Sequence, residues 1–174
     1  MYLKKLVRLL PMSKIYRKRF YFPIRQFSCV FVLLLLGVFV SACSSAKKLS
    51  VSDTSIQTAG MLNPNINNTK SPVELVFYQL TSKDKFEQAS FQSLYGDASK
   101  TLGKDLLDKQ SLMVKPGVIK QFKFKLLSDT NYVGVVAAFR KINEAQWRDV
   151  RKIDASSDIK LNVIVGTLSV TIKK

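Results

Sequence analysis

The feature that most limits what this chain can fold into is a run of 12 largely apolar residues near its N-terminus. The run extends from Cys29 to Val40, follows a basic segment without acidic residues, and ends at the small residues Ser41 and Ala42. A helix needs about 20 apolar residues to cross a bilayer, so the run is too short for a permanent span. A basic segment, an apolar run and small residues in this order are typical of an export signal, which is removed from the mature protein. We therefore predict a signal peptide at residues 1–42 and a fold built from the residues that follow.

Cys43 stands where the apolar run gives way to a polar segment. The four residues from Val40 to Cys43 resemble the bacterial lipobox, in which a branched apolar residue and two small residues precede a cysteine. The resemblance implies a covalent lipid on Cys43, with S-diacylglycerol on the thiol and an N-acyl group on the amino group that cleavage exposes. Several acyl chains anchor a protein stably, whereas a single chain holds it only marginally. A disulfide is not expected, because the other cysteine, Cys29, belongs to the leader.

The residues after Cys43 indicate where the lipid delivers the chain. Ser44 is not the aspartate that favours retention in the inner membrane, so the resemblance to the lipobox implies the outer membrane. Residues 43–48 are predicted to form a lipidated tether. An ordinary secretory signal that happens to end near a cysteine is the alternative interpretation.

The net charge of +16 divides unevenly along the chain. Eight of the 28 basic residues and none of the 12 acidic residues precede Cys43, which leaves 20 basic and 12 acidic residues, a surplus of +8, in the mature part. These charges are scattered through strand-like segments and form no dense basic block of the kind that nucleic-acid binding requires. We therefore predict a solvated surface and no nucleic-acid partner.

Side chains that carry catalysis or hold metals are scarce in this sequence. The chain contains no histidine, which excludes Ser-His and Cys-His nucleophile arrangements and removes the commonest metal ligand. Two carboxylate pairs, Asp105 with Asp108 and Asp154 with Asp158, lack a surrounding acidic cluster, so solvated carboxylates are the favoured interpretation. We predict that the protein is not an enzyme and has no cofactor or metal besides the covalent lipid.

Alternation of apolar and polar residues indicates strands through most of the mature chain. In VIKQFKFKLL, the side chains of Phe122, Phe124 and Leu126 point one way and polar side chains the other, as in a strand with one wet face. YVGVVAAFR is apolar on both faces and is expected to be a central strand. Further extended segments are predicted at 49–59, 73–80, 111–114, 147–153, 159–165 and 167–172. This pattern predicts a mainly β fold, an antiparallel β-sandwich of about 7–8 strands in one domain at residues 49–174.

Two short helices are expected inside this domain, in a helical insertion at about residues 84–108. Asp84 and Glu87 have the spacing of a capping box at the start of the first helix. Gly96 is expected to end that helix. Residues 99–108 are expected to form the second helix.

The mature chain contains four stretches in a fixed order behind the lipobox: LNPNINNTKSPVELVFYQL, FEQASFQSLYGD, LMVKPG and YVGVVAAFRKINEAQWR. Together they resemble the TssJ family, the outer-membrane lipoproteins of type VI secretion systems. The resemblance implies a transthyretin-like β-sandwich with a small helical addition, lipid-anchored on the periplasmic face of the outer membrane. It also implies a structural role, in which the protein binds the C-terminal periplasmic part of the inner-membrane protein TssM and, with TssL, completes a trans-envelope complex.

The partner-binding element of that family is the loop between the first two strands. In this chain the loop falls on a segment dense in asparagine and proline, residues that favour turns. The resemblance implies partner contacts from Leu62, Asn63, Pro64, Asn65, Ile66, Asn67, Asn68, Thr69, Lys70 and Ser71.

Two other functions are alternatives to this one. A periplasmic lipoprotein that binds a small ligand or a glycan would need an apolar pocket with converging polar groups, which short and evenly packed strands do not favour. A hydrolase of the cell wall is disfavoured by the missing histidine and the lack of a nucleophile motif.

The anchor is tested by the substitution Cys43→Ala in the full-length chain. We expect the variant to leave the membrane fraction and assembly of the secretion complex to fail, because the chain then carries no acyl group. Cell fractionation with immunoblotting measures the change, and Cys29→Ala, in the leader, is the matched control that should behave like the parent. A Cys43→Ala protein that stays in the membrane and still supports assembly would show that acylation is not the anchor.

Overall fold

A computed structural model of the protein describes residues 50–173. The predicted signal peptide, the tether and Cys43 lie outside these residues. The described part of the chain contains eight strands. They are β1 (Ser50–Thr58), β2 (Val73–Leu80), β3 (Leu106–Val114), β4 (Ile119–Leu126), β5 (Tyr132–Ala137), β6 (Arg148–Lys152), β7 (Ile159–Val165) and β8 (Val170–Lys173).

The strands form two four-stranded sheets with a shared core. The β1 sheet has the strand order β4-β1-β7-β8, and the β2 sheet has the order β3-β2-β5-β6. The predicted mainly β sandwich is confirmed, and strand β5 is central as expected. All pairs of neighbouring strands in these sheets are antiparallel except one. Strand β1 runs parallel to β7, with Ser52 opposite Ile159 and Thr58 opposite Val165.

The main core lies between the two sheets and follows the alternation seen in the sequence. Phe124 and Leu126 of β4 are buried, and Phe122 packs half-buried beside them. The ring of Phe77, from β2, lies 5.8 Å from that of Phe124 between ring centroids. Aromatic pairs at this separation add to the free energy gained by burying their area. The predicted inward face of β4 is therefore confirmed.

Strand β1 places polar side chains in this core. Ser50, Ser52 and Thr54 are buried on its inner face. The hydroxyls of Ser52 and Thr54 share a hydrogen bond of 2.9 Å, and Ser50 Oγ donates to the carbonyl oxygen of Ala155 at 2.8 Å. Buried hydroxyls are tolerated when they are paired. A strand with so few apolar side chains has only a weak signal in the sequence, although it lies in the middle of its sheet.

Strand β2 is buried on both faces, and its second face supports a layer of helices. Tyr78 and Leu80 pack there against Phe86, Leu94 and other apolar side chains of the helical segment. The hydroxyl of Tyr78 donates to the carbonyl oxygen of Leu94 at 2.9 Å. Burial raises the pKa of Tyr78 well above its ordinary value, so the hydroxyl stays protonated and keeps donating this bond.

The helical layer confirms the predicted small helical segment but divides it differently. It consists of α1 (Asp84–Gln88), α2 (Phe91–Gly96), α3 (Ala98–Leu102) and a 3₁₀ turn at Gly103–Asp105. The break between α1 and α2 has two local causes. Ser90 Oγ accepts from the backbone N–H of Ser93 and starts α2, a typical N-cap. Arg148 Nη1 donates to the carbonyl oxygens of Phe86 and Ala89 and satisfies the end of α1.

The predicted capping box at Asp84 and Glu87 was wrong. Asp84 is the first helical residue, and the residue before it, Lys83, makes no side-chain capping bond. Glu87 instead forms an ion pair with Lys83 at 3.0 Å. A carboxylate four residues after a lysine is well placed for this contact on a helix surface.

The expected helix at residues 99–108 was wrong at its C-terminal end. Strand β3 begins at Leu106, which lies opposite Leu80 of β2 across an irregularity in register after Gln79. Pairing with β2 outweighs the weak helical preference of residues 106–108, because tertiary context routinely outweighs intrinsic propensity.

At Gly134 of β5 the helical layer lies very close to the sheet. A Cβ atom at this position would lie 2.7 Å from Cζ of Phe86. We expect Gly134→Ala to lower the free energy of unfolding by about 1–3 kcal/mol through overpacking. Urea unfolding measures the effect, and Gly96→Ala, where no atom lies within 4 Å of the added carbon, is the control.

A second variant separates overpacking from a backbone effect at Gly134. Combining Gly134→Ala with Phe86→Leu should cost less than the sum of the two single changes, because contacting residues couple. Strict additivity would contradict the contact between Phe86 and Gly134.

Candidate partner-binding surface at the loop end

Four connections meet at one end of the sandwich, which we call the loop end. They are the β1–β2 loop (59–72), the β3–β4 turn (115–118), the β5–β6 segment (138–147) and the β7–β8 turn (166–169). Two backbone hydrogen bonds of 3.0 Å join the β1–β2 loop to its neighbours. Gly117 N–H of the β3–β4 turn donates to the Ala59 oxygen, and Asn63 N–H donates to the Thr167 oxygen of the β7–β8 turn. Strand β1 enters the sandwich at Ser50, at the opposite end. The β1–β2 loop is therefore held on two sides by its neighbours.

Asn63 holds the base of the β1–β2 loop in place. It has a left-handed backbone conformation (φ +46°) and is 2 % exposed. Its Nδ2 donates to the carbonyl oxygen of Pro72 and its Oδ1 accepts from the backbone N–H of Arg140, both at 2.8 Å. Asparagine tolerates this conformation better than most residues. One side chain thus closes the loop on itself and ties it to the β5–β6 segment.

Asn65 organises the tip of the loop. Its Oδ1 accepts from the backbone N–H groups of Asn67 and Thr69, both at 2.9 Å. Asn68, with φ +57°, completes the turn by donating its N–H to the Asn65 carbonyl oxygen at 3.0 Å. Asparagine is favoured in turns because its side chain can form hydrogen bonds with the backbone two residues further along the chain. The tip is accordingly folded rather than extended.

The ten residues that the family resemblance implicates divide into two groups in the structure. Leu62, Asn63, Pro64 and Ser71 are buried, and Asn65 is half-buried. The exposed members are Ile66, Asn67, Asn68, Thr69 and Lys70. Ile66 is 96 % exposed, the largest value among the apolar side chains of the described residues. A partner can reach the tip directly, whereas the buried group acts by shaping it.

The structure adds residues to this surface that sequence reasoning missed. Met61, Met113 and Ile119 are each at least half exposed, and with Ile66 they make four of the six exposed large apolar side chains among residues 50–173. Met113 and Ile119 flank a shallow depression of about 270 Å³ that Lys115, Val118 and Lys120 also line. Clustered exposed apolar side chains mark interaction sites. A signal was available for Ile119, which interrupts the polar face of β4.

Basic residues lie in or next to the connections of the loop end. They are Lys70, Lys115, Lys120, Arg140 and Lys141, with Glu144 as the acidic residue of the β5–β6 segment. Glu144 lies 3.7 Å from Lys141 and offsets one of these charges. An apolar centre with a positive rim suits a protein surface with acidic residues around an apolar patch.

The carboxylate pairs noted in the sequence serve structural contacts. Asp105 pairs with Lys85 at 3.0 Å, and Asp108 accepts from the amide groups of Gln79 and Gln110. Hydrogen bonds from Ser156 lower the pKa of Asp154. No group of three or more potential metal-ligating side chains occurs in the described part of the chain.

A second depression lies on the outer face of the β1 sheet and has a volume of about 300 Å³. Ser55, Gln57, Asn162 and Lys173 line it together with parts of two apolar residues. It is open to solvent and lacks the apolar enclosure that small-ligand sites require. This geometry gives no support to the ligand-binding alternative.

Comparison with known proteins identifies the relatives of this chain. The family model described as the type VI secretion lipoprotein (VasD, EvfM, TssJ) matches residues 50–168. The chain belongs to this family. The match spans β1 to the β7–β8 turn and so includes three connections of the loop end completely and the fourth as far as residue 168. A search of curated proteins finds no match.

Solved structures share the fold. The type VI secretion lipoprotein TssJ1 from Pseudomonas aeruginosa is 26 % identical, with a TM-score of 0.68 over 72 % of this chain and 95 % of that one. The Serratia marcescens Lip protein, described as a membrane-bound component of the type VI secretion system, is 21 % identical, with a TM-score of 0.67 over 72 % and 98 % of the two chains. A chain of the structure named for the TssM C-terminal domain from EAEC is 19 % identical, with a TM-score of 0.61 over 71 % and 98 %.

Family membership makes the protein a lipoprotein component of a type VI secretion system, anchored to a membrane of the cell envelope. None of the helices among residues 50–173 is long and apolar enough to span a bilayer. The partner-binding role of the β1–β2 loop and the lipid on Cys43 stay predictions.

The structural role of Asn63 is tested by Asn63→Ala. Losing two hydrogen bonds at a buried site should lower the free energy of unfolding by about 2 kcal/mol and speed hydrogen exchange across residues 63–71. Asn67→Ala, at the exposed tip, is the control and should change stability by less than about 0.5 kcal/mol. Equal stability of the two variants would contradict the anchoring role of Asn63.

Proposed function

We propose that this TssJ-family protein tethers the type VI secretion complex to the outer membrane by binding the periplasmic part of TssM. Acyl groups on Cys43 hold one end of the protein in the periplasmic face of that membrane, and the loop end binds the partner. TssL belongs to the wider complex. In this role the protein assembles other components and catalyses no reaction.

The observation that carries this proposal is the position of the exposed apolar side chains relative to strand β1. Strand β1 starts at Ser50, seven residues after Cys43, and ends at Thr58, where the β1–β2 loop begins. Nine extended residues cover about 30 Å. A lipid at the N-terminal side and a partner at the loop end would therefore be separated by the length of the sandwich.

The binding surface proposed is the exposed tip of the β1–β2 loop together with Met61, Met113 and Ile119. Apolar anchors at the centre of an interface supply most of its binding free energy, and surrounding charges orient the partner. Asn63 and Asn65 hold the tip in one conformation before binding, which reduces the entropy lost on association. Anchoring on the membrane raises the effective concentration of this surface for a partner in the same envelope.

The loop assignment is tested with Ile66→Ser in the mature chain. Truncating a central apolar anchor should weaken binding by about 2 kcal/mol, roughly a thirtyfold rise in Kd for the periplasmic domain of TssM. Affinity is measured by surface-immobilised binding, with circular dichroism to verify the fold.

Leu127→Ser supplies the matched control, because Leu127 is an exposed apolar residue in the β4–β5 connection, at the opposite end from the loop. Its affinity should equal that of the parent chain. Replacing residues 62–71 by Gly and Ser should abolish binding altogether. Undiminished binding by that replacement would overturn the loop assignment.

A further inference from the structure

The outer face of the β1 sheet carries a group of lysines that the proposed function does not use. We call this group the lysine face: Lys123, Lys125, Lys160 and Lys173, all exposed. Asp53 lies opposite Lys123 on one neighbouring strand and opposite Lys160 on the other. It pairs with Lys123 at 3.4 Å. Four positive charges therefore share one sheet surface with a single carboxylate from the strands themselves.

The lysine face lies toward the end of the sheet where the tether enters. Lys125 is opposite Val51, the second residue of β1. The other end of the same surface carries Gln57, Ile119 and Ile164, which are uncharged. Three carboxylates lie in the connections at this end: Asp129 follows β4, and Asp154 and Asp158 precede β7. Asp158 Oδ1 accepts from the N–H of Val51 at 2.8 Å. On the sheet surface itself the four lysines outnumber the one carboxylate, Asp53.

The helices on the opposite side of the molecule have no such excess. The helical layer carries four basic and four acidic residues: Lys83, Lys85, Lys100 and Lys104 with Asp84, Glu87, Asp97 and Asp105. Part of the basic surplus of the mature chain is thus confined to the surface that faces away from the helices.

We propose that the lysine face docks on the anionic phospholipid headgroups of the membrane that holds the anchor; this inference rests on the lipid anchor at Cys43 in the proposed function. The segment from Cys43 to Ser50 reaches at most about 25 Å when fully extended, so the domain cannot move far from the bilayer. Lysines near an anionic membrane surface are attracted to it, and the attraction decays within about a Debye length. Lys47 and Lys48 of the tether add to the same attraction.

Docking would determine which way the domain points. Because the side chains of the face project perpendicular to the strands, docking would lay the β1 sheet against the bilayer, with its charged half next to Ser50 closest to the headgroups. The loop end, with Ile66 and Met61, would lie at the uncharged half, away from the anchor, and the helical layer would face the periplasm. An acyl anchor alone would leave this orientation undetermined.

The test uses the acylated mature protein purified in detergent and reconstituted into phosphatidylcholine vesicles that contain or lack phosphatidylglycerol. Lysine acetylation followed by peptide mass spectrometry reports the exposure of each amine. We expect acetylation of the four lysines of the face to slow by about fivefold on anionic vesicles, the factor for the attraction of one lysine, and the effect to vanish at high salt. Lys100 and Lys104, exposed on the helical layer, should react equally on both vesicles.

Variants with fewer lysines on the face test whether its charge causes the protection. Lys125→Gln combined with Lys160→Gln should restore fast acetylation at Lys123 and Lys173, whereas Lys100→Gln combined with Lys104→Gln should leave their protection unchanged. Equal acetylation of the face on both kinds of vesicle would overturn the docking and leave the anchor intact. Protection that arises only when the secretion partners are added would identify a protein as the occupant and also overturn it. The mass of the Cys43 peptide reports the anchor separately, and a peptide without lipid would refute the anchor and the docking with it.

Discussion

The burial of strand β2 on both faces is the constraint on which the rest of this structure depends. One face contributes Phe77 to the core between the sheets, and the other contributes Tyr78 to the core beneath the helices. Because β2 packs on both faces, its alternate side chains must each fit closely against the neighbours in one of two different cores. Gly134 makes this possible on the adjacent strand, because the ring of Phe86 occupies the space that a side chain would need. The helical layer is therefore part of the fold and not an appendage to it.

Strand β1 connects the two ends of the molecule that the proposed function uses. It is hydrogen-bonded on one side to β4 and on the other to β7, so neither end of the strand can shift without disturbing both pairings. Asn63 continues this restraint past the end of the strand by bonding to Pro72 and Arg140. A rigid path of this kind suits the proposed role of holding a partner at a defined distance from a membrane, since flexible segments would lose entropy on binding.

Much of the fold follows from local patterns. The limits of β2 and β7 agree with the sequence prediction residue by residue, and the inward face of β4 follows from its alternation. The errors lie where long-range contacts overrule local preference: Leu106 joins β3 because β2 is available as a partner, and α1 ends early because Arg148 of β6 caps its carbonyl groups. The parallel pairing of β1 with β7 joins residues about a hundred positions apart, and such a pairing leaves no trace in either segment alone.

The sequence by itself determined most of the strand pattern and the place of an Asn-rich loop between the first two strands, and it predicts the leader that ends before Cys43, because these depend on hydropathy, periodicity and turn propensity within short windows. Only the tertiary structure decided which residues of that loop a partner can touch. From the sequence alone Asn63 and Ile66 are equally plausible partner contacts. In the structure Asn63 is 2 % exposed and Ile66 is 96 % exposed. The same holds for the lysine face, whose members come from β4, β7 and β8. Burial and charge clustering depend on which distant segments become neighbours, and that is settled by strand order and packing.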